Sequence, residues 1–410
     1  MIKKSGLCYI LLCLALVINL AVGYSVYAEE DKLADNKEVL EKISVMMQVL
    51  HLIQHDYVNP EDVDYSSLIY NALDGMVSSL GPHSSFLQPQ EYESMKQMTE
   101  GKFGGIGIVV TMKEGVLTII TPIEGTPGSE AGLMAGDQII AVDGKEIEGT
   151  KLSKIVNNMK GEPGTDVTLK IYRPETDETM EKTITRDIVE VPSVKGAHMY
   201  DSGIGYVRIT QFDEHTASDL EEQLQSLDEQ GMKSLVIDVR NNPGGLLKAA
   251  VDTCSKFLGK DKMVVYTKGR RSSQDQKYFT DNGVKFLDIP IVILVNEGSA
   301  SAAEILAGCL QDYERAVLVG VKTFGKGSVQ NIIRLPDDSA LRLTTAMYYT
   351  PSERVIKDNG IKPDIQIKLT KEQKEKFRDE VVKLGRDKPL KPDADPQLKK
   401  ALEVLRNKAE

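Results

Sequence analysis

The chain has 410 residues, 41 % of them hydrophobic, a length that calls for two or three domains rather than one. A formal net charge of −11 with no basic cluster excludes a nucleic-acid footprint. Among the four cysteines, Cys8 and Cys13 lie in an N-terminal apolar stretch. Cys254 and Cys309 sit in apolar helical patterns without metal-ligand spacing, which reads as small buried hydrophobes, and nothing in the spacing supports a disulfide between them.

In chain order, residues 1–28 carry Lys3 and Lys4, an apolar stretch from Leu7 to Val22, and Val26-Tyr27-Ala28 before acidic Glu29-Glu30-Asp31. This is the pattern of an export signal. The uncharged stretch from Leu7 to Ala28 is also long enough to remain as a membrane anchor, so the chain is expected to be either secreted or membrane-associated through this segment. In both cases the body lies on the extracytoplasmic side, in the periplasm or at the exterior of the cell envelope.

Residues 29–98 read as helical. Val39, Leu40, Ile43, Met46, Val49, Leu50 and Ile53 form a broad apolar stripe, serving either ordinary core packing or a partner helix in a homodimer. His51 and His55 stand one helical turn apart but lack a further ligand at suitable spacing, so no metal is expected. A second helix, Leu68 to Leu80, should stop at Gly81-Pro82.

Residues 99–187 change to short strands and turns. Phe103-Gly104-Gly105-Ile106-Gly107-Ile108 reads as a glycine-rich loop opening onto a strand from Ile106 to Met112. Free N–H groups in such a turn hold a carboxylate, and the strand edge pairs with an extended peptide. The bland alternative is a plain tight turn.

From 188 to 369, strand and helix signals alternate, as in an α/β core with helices against a sheet. A buried strand, Ser234 to Val239, ends in Arg240-Asn241-Asn242-Pro243-Gly244-Gly245, where paired glycines let backbone N–H groups approach a substrate. The alternative there is a helix-capping turn. The apolar run Ile291 to Val295 then leads through Asn296-Glu297-Gly298 into a helical pattern from Ala302, which puts Ser301 at a strand-to-helix turn. A nucleophile gains at a helix N-terminus, where free N–H groups receive an oxyanion. Ser301-Ala-Ala-Glu304 equally spells a capping box, and Ser299 competes as nucleophile. Next, strand Ala316 to Val321 runs into Phe324-Gly325-Lys326-Gly327-Ser-Val-Gln330. A lysine buried at such a turn has a lowered pKa and suits general-base work, with Gln330 placed to orient it.

Ser299-Ala-Ser301-Ala-Ala-Glu304 and Phe324-Gly-Lys326-Gly-Ser-Val-Gln330 together resemble the catalytic motifs of the C-terminal processing peptidases, the tail-specific proteases with a Ser–Lys dyad. That resemblance implies Ser301 as nucleophile, Lys326 as its base and Gln330 as the residue that positions the lysine. It also implies an oxyanion hole from the amide of Gly244 or Gly245 together with that of Ala302. Leu80-Gly81-Pro82-His83-Ser84-Ser85-Phe86-Leu87 resembles a family segment that usually has Asp in place of Gly81, a departure read as structural. His83 is not expected to act, because the resembled chemistry uses no histidine. The earlier set Gly128-Ser-Glu-Ala-Gly132-Leu133, Gly136-Asp137-Gln-Ile139 and Val142-Asp143-Gly144 resembles a PDZ domain, with Phe103 to Ile108 as its peptide-binding residues.

Two rival readings fall away. Gly320-Val-Lys-Thr-Phe-Gly325-Lys326 nearly spells a P-loop, but Gly327 replaces the hydroxyl residue and a strand pattern follows in place of a helix. A non-catalytic peptide-binding scaffold would be favoured by loss of Ser301 or Lys326, and both are present. The expected architecture is an α/β multidomain chain: a helical N-terminal region, a PDZ-like β-rich domain, an α/β serine protease core and a charged helical tail over 370–410. Its expected partners are proteins with accessible C-terminal tails, and no metal or organic cofactor is implied.

Overall fold

The computed structural model describes residues 37–113, 115–123, 125–147, 152–281, 286–376 and 391–409. The segment read as export signal or anchor lies outside them. Among the described residues, no helix is long and apolar enough to cross a membrane.

The chain divides into two compact units, Met1–Pro82 and His83–Glu410. The first holds α1 (Lys37–Asp56) and α2 (Tyr65–Ser78). Asp64 starts α2 from an extended conformation, its carboxylate accepting the Ser67 N–H at 2.8 Å, a standard N-cap. Along α1, Leu40, Ile43, Met47 and Leu52 of the apolar stripe are exposed, while Leu50 is buried.

The second unit opens with β1 (Ser85–Leu87) and α3 (Pro89–Glu100). The strand lies inside the region expected to be helical. A β-rich module follows: β2 (Lys102–Gly105), β3 (Ile108–Lys113), β4 (Val116–Pro122), α4 (Pro127–Glu130), β5 (Gln138–Val142), β6 (Lys145–Glu146), α5 (Leu152–Met159), β7 (Asp166–Arg173), β8 (Glu178–Thr185) and β9 (Asp187–Glu190). Its sheet runs β3-β4-β5-β7-β8, with β6 on β5. Alternate residues (Leu117 and Ile119; Val167, Leu169 and Ile171) enter one core with Ile139 and Ile155, the two-residue period of a half-buried strand. Where the chain enters and leaves the module, β2 and β9 pair antiparallel from Lys102↔Glu190 to Gly105↔Asp187. Phe103, Gly104 and Gly105 therefore form part of a strand, where the sequence suggested a loop.

The remaining elements are β10 (Val194–Tyr200), β11 (Ile204–Ile209), α6 (Thr216–Glu229), β12 (Ser234–Asp238), α7 (Leu247–Cys254), β13 (Met263–Gly269), β14 (Lys277–Phe279), β15 (Ile291–Val295), α8 (Ala302–Asp312), β16 (Ala316–Gly320), β17 (Ser328–Arg334), β18 (Ala340–Tyr349), β19 (Ile365–Gln366) and α9 (Pro396–Ala409). Six strands form the central sheet in the order β10-β11-β12-β15-β16-β19, parallel from β11 onward. Every residue of β12 and β15 is buried, so Leu235–Ile237 and Ile291–Val295 read as continuous apolar runs rather than alternations. One face carries α6, α7 and α8 through Leu220, Leu224, Ala250, Cys254, Ile305 and Cys309, packed on Val207, Ile237 and Ile293.

The other face is covered by α9. Leu398, Ala401, Leu402 and Leu405 lie on Val236, Val292, Leu294 and Val319. The tail that the sequence marked only as charged and helical thus includes a helix packed on the sheet. A narrow stripe of three leucines and one alanine fits the groove between strands, while the charged residues between them face water.

A second sheet is built on β18, which pairs with β1 and β13 along one edge and β17 along the other, all antiparallel.

Candidate active site

The parallel strands deliver three loops to the same end of the central sheet: 239–246 after β12, 296–301 after β15 and 321–327 after β16. In open α/β sheets this carboxyl end is where ligands bind. Ser301 is the N-cap of α8, with φ 54° and ψ −115°. An N-cap normally adopts extended dihedrals, and a side-chain-bearing residue at this pair is strained. Only 9 % of Ser301 is exposed. Ser299 is fully buried; its hydroxyl donates to the Val239 carbonyl at 2.8 Å and accepts the Asn296 N–H at 3.0 Å, tying two loops together.

The capping box expected at Ser301-Ala-Ala-Glu304 is present, and its glutamate does more than cap. Glu304 Oε2 accepts the Ser301 N–H at 2.9 Å and the Lys326 N–H at 2.8 Å. Its Oε1 accepts the Thr323 hydroxyl at 2.5 Å and the Gly325 N–H at 2.7 Å. One buried carboxylate thus fixes the serine turn against the lysine turn. Burial raises the Glu304 pKa, although each of these hydrogen bonds opposes the rise.

Lys326 is half-buried, and its pKa is lowered, first by desolvation and then by the charge of Arg342, while Glu304 works in the opposite sense. Gln330 is held elsewhere: its amide donates to the Ser328 hydroxyl at 3.0 Å and accepts from the Thr344 hydroxyl at 3.1 Å. Thr344 N–H in turn donates to Ser84 Oγ at 3.2 Å. The register Ser85↔Arg342 sets this contact, so the segment before β1 borders the site. Next to Ser84, His83 has its pKa pulled down by burial, then by the charges of Lys326, Arg342 and Lys357.

The loop after β12 faces the serine. A Cβ built on Gly244 would lie 2.6 Å from Ser301 Cβ and 3.0 Å from the Ala302 nitrogen. The Gly244 N–H already donates to Asn242 Oδ1 at 2.8 Å. Among the described residues, the amides of Gly245 and Ala302 find no acceptor. Of the expected oxyanion donors, those two are free and Gly244 is spent on the loop itself.

The expected peptide-binding residues divide. Ile106 is 2 % exposed and belongs to the module's core. Phe103 lies under the Lys160 ammonium, 4.7 Å from the ring centroid. Ile108 begins β3, the edge strand of its sheet, which leaves one side of that strand without a partner in the sheet.

Sequence reasoning missed the second duty of Glu304 and the contributions of Thr323, Thr344, Ser84 and Arg342. Glu304 carried a legible signal, the capping spacing. Thr344 and Ser84 are 260 residues apart, and no local pattern announces their contact.

Residues 203–367 match peptidase family S41, and residues 104–184 match a PDZ domain. A carboxy-terminal-processing protease of Bartonella bacilliformis is 37 % identical over 413 residues, covering 94 % of this chain and 93 % of that protein. This chain belongs to peptidase family S41. The carboxy-terminal processing protease CtpA of Bacillus subtilis is 34 % identical over 329 residues, 80 % of this chain and 69 % of that protein. A putative S41 protease from Bacteroides fragilis shares the fold, with a TM-score of 0.52 at 18 % identity over 88 % of this chain and 97 % of that one. The S41 chain is therefore a serine-type peptidase of the carboxyl-terminal processing kind with a PDZ domain inside it.

Proposed function

We propose that this peptidase acts through Ser301 as nucleophile and Lys326 as general base. The observation that carries the reading is the shared acceptor: Glu304 Oε2 takes the N–H of both residues, which puts the two turns side by side. Half-burial of Lys326 favours the neutral amine that a base requires. Lys326 takes the hydroxyl proton as Ser301 Oγ attacks the scissile carbonyl carbon, and the Gly245 and Ala302 amides receive the carbonyl oxygen as it becomes an oxyanion. The protonated amine then gives its proton to the leaving nitrogen, and water resolves the acyl-enzyme. Gln330, bonded to Ser328 and Thr344, braces β17, the strand that follows the lysine turn.

The PDZ domain captures the C-terminal tail of a protein substrate as an added strand along β3, with the turn of Ile106 and Gly107 receiving the carboxylate. The protein works outside the cytoplasm, delivered by its N-terminal segment as a secreted or membrane-associated enzyme. The exposed apolar face of α1 supports a homodimer. The test is mass spectrometry of a flexible protein with an apolar C-terminus, incubated with wild type, Ser301→Ala and Lys326→Ala. Tail loss with wild type alone is expected, and equal cleavage by all three would reject the dyad.

A further inference from the structure

We infer that the chain's own C-terminal helix sets the oxyanion loop, with Asp395 and Gln397 as positioning residues that act through Arg240. The inference rests on the reading of the Gly245 amide as an oxyanion donor. Arg240 is the second residue after β12 and is 5 % exposed. Its Nη1 donates to Asp395 Oδ1 at 3.0 Å and to Gln397 Oε1 at 3.1 Å, and its Nη2 lies 2.7 Å from Asp395 Oδ2. Asp238, at the end of β12, takes the remaining edge, accepting Nε at 3.0 Å and Nη2 at 2.6 Å. Both carboxylates and the Gln397 side chain are buried.

Asp238 precedes the loop and could hold the arginine alone in any doubly wound sheet. Asp395 and Gln397 come from the far end of the sequence and seat the same guanidinium from the start of α9, Asp395 as its cap and Gln397 in its first turn. A planar guanidinium gripped on two edges has one orientation, and its backbone is fixed with it.

From Arg240 the constraint passes along the loop by short links. Asn241 N–H donates to Asn296 Oδ1 at 2.8 Å, and Asn242 carbonyl accepts the Ala300 N–H at 2.9 Å. Asn242 Oδ1 then fixes Gly244, whose carbonyl accepts the Phe212 N–H at 2.9 Å. The residues that precede the Gly245 amide, with Gly244 packed against Ser301, are thereby held by a lattice whose outer anchor is the tail helix. Losing that anchor leaves a buried arginine with an unmatched edge, which relaxes by moving the loop.

The experiment compares the full chain with Asp395→Asn and Gln397→Met. Asp395 also caps α9, its Oδ1 accepting the Gln397 N–H and the Leu398 N–H at 3.1 Å each. Asparagine keeps an acceptor there and removes the charge; methionine at 397 spares the cap altogether. Three readouts are taken on folded protein: kcat and KM for a peptide substrate, affinity for a peptide aldehyde, and affinity for the matching peptide alcohol. The aldehyde carbon bonds to serine Oγ and leaves its oxygen in the oxyanion position, whereas the alcohol reports ground-state binding. Asp395→Asn is expected to lower kcat and aldehyde affinity together by about 10- to 100-fold, with KM and alcohol affinity within about two-fold. Gln397→Met should do the same by about three- to ten-fold, and it decides the matter if Asp395→Asn fails to fold. Unchanged kcat and aldehyde affinity in folded Gln397→Met, or an equal loss of aldehyde and alcohol binding, overturns the inference. A wild-type enzyme that binds aldehyde no better than alcohol rejects the oxyanion reading itself, and the inference falls with it.

Discussion

Gly244→Ala tests the site where the loop after β12 meets the serine turn. The added methyl would sit 2.6 Å from Ser301 Cβ and 2.8 Å from the Ala300 carbonyl oxygen. Two carbons rest at about 3.5–4.0 Å, so the loop and the serine turn must part by roughly 1 Å. Neither side yields cheaply: Ala300 N–H is bonded to Asn242, and Ser301 N–H to Glu304. A displacement of about 1 Å at a reacting group costs on the order of 100-fold in rate. The φ of 100° at this position adds backbone strain of about 1–3 kcal/mol for a residue with a Cβ. The expected variant is folded, with a lower Tm, a kcat reduced about 100-fold and a KM close to that of wild type. Steady-state cleavage of a peptide with an apolar C-terminus, followed alongside a thermal melt, separates the two effects. Folded Gly244→Ala with wild-type kcat would refute the proposal that this loop, packed against Ser301, shapes the reacting site.

Two further outcomes follow from the same geometry. Only the neutral amine of Lys326 accepts a proton, so kcat/KM should rise with pH as the ammonium is lost. Burial first and Arg342 second lower that pKa, placing the limb below that of an exposed lysine. Arg342→Gln removes a charge that lowers it and should move the limb to higher pH; an unmoved limb in a pH–rate profile would count against the pairing. Leu398→Ala, at a fully buried position of α9, should cost about 2–5 kcal/mol in denaturant unfolding, whereas a solvated tail would give no change.

The features legible in the sequence were those with local causes. Ile291 to Val295 is buried on both faces, so an unbroken apolar run announced a buried strand, which the structure places parallel between β12 and β16. Ser301 and Lys326 were marked by short motifs, each at the carboxyl end of such a strand. What escaped depends on partners far away in the chain. Phe103 to Gly105 read as a loop because two glycines in a row weaken a strand; pairing with Asp187–Val189 overrides that weakness. Ser85–Leu87 is too short to show a period and exists by courtesy of β18. In α9, Leu398, Leu402 and Leu405 are diluted by charged neighbours, so the segment read only as a charged helix although its stripe packs on the central sheet's second face.

Capping and catalysis at Ser301 were posed as rival explanations of one spacing, and the cap that the structure shows is compatible with both. A helix N-terminus must supply an acceptor for its first amides, and a glutamate at the third helical position supplies two oxygens. At Glu304 one oxygen is shared between the N-cap amide and Lys326, and the other holds Thr323 and Gly325. The glutamate that caps the start of α8 therefore also ties the lysine turn to the serine turn. Behind the loops, Arg240 ties β12 to α9 in the same way, by a single side chain that serves two segments. Three loops that meet at a sheet end have no secondary structure to fix them relative to one another. Multivalent buried side chains are the cheapest means of doing so, since each satisfies the polar groups that the loops themselves leave open. On this argument the strained φ of Ser301 persists because Glu304 holds its amide from below while the loop of Gly244 closes over its Cβ.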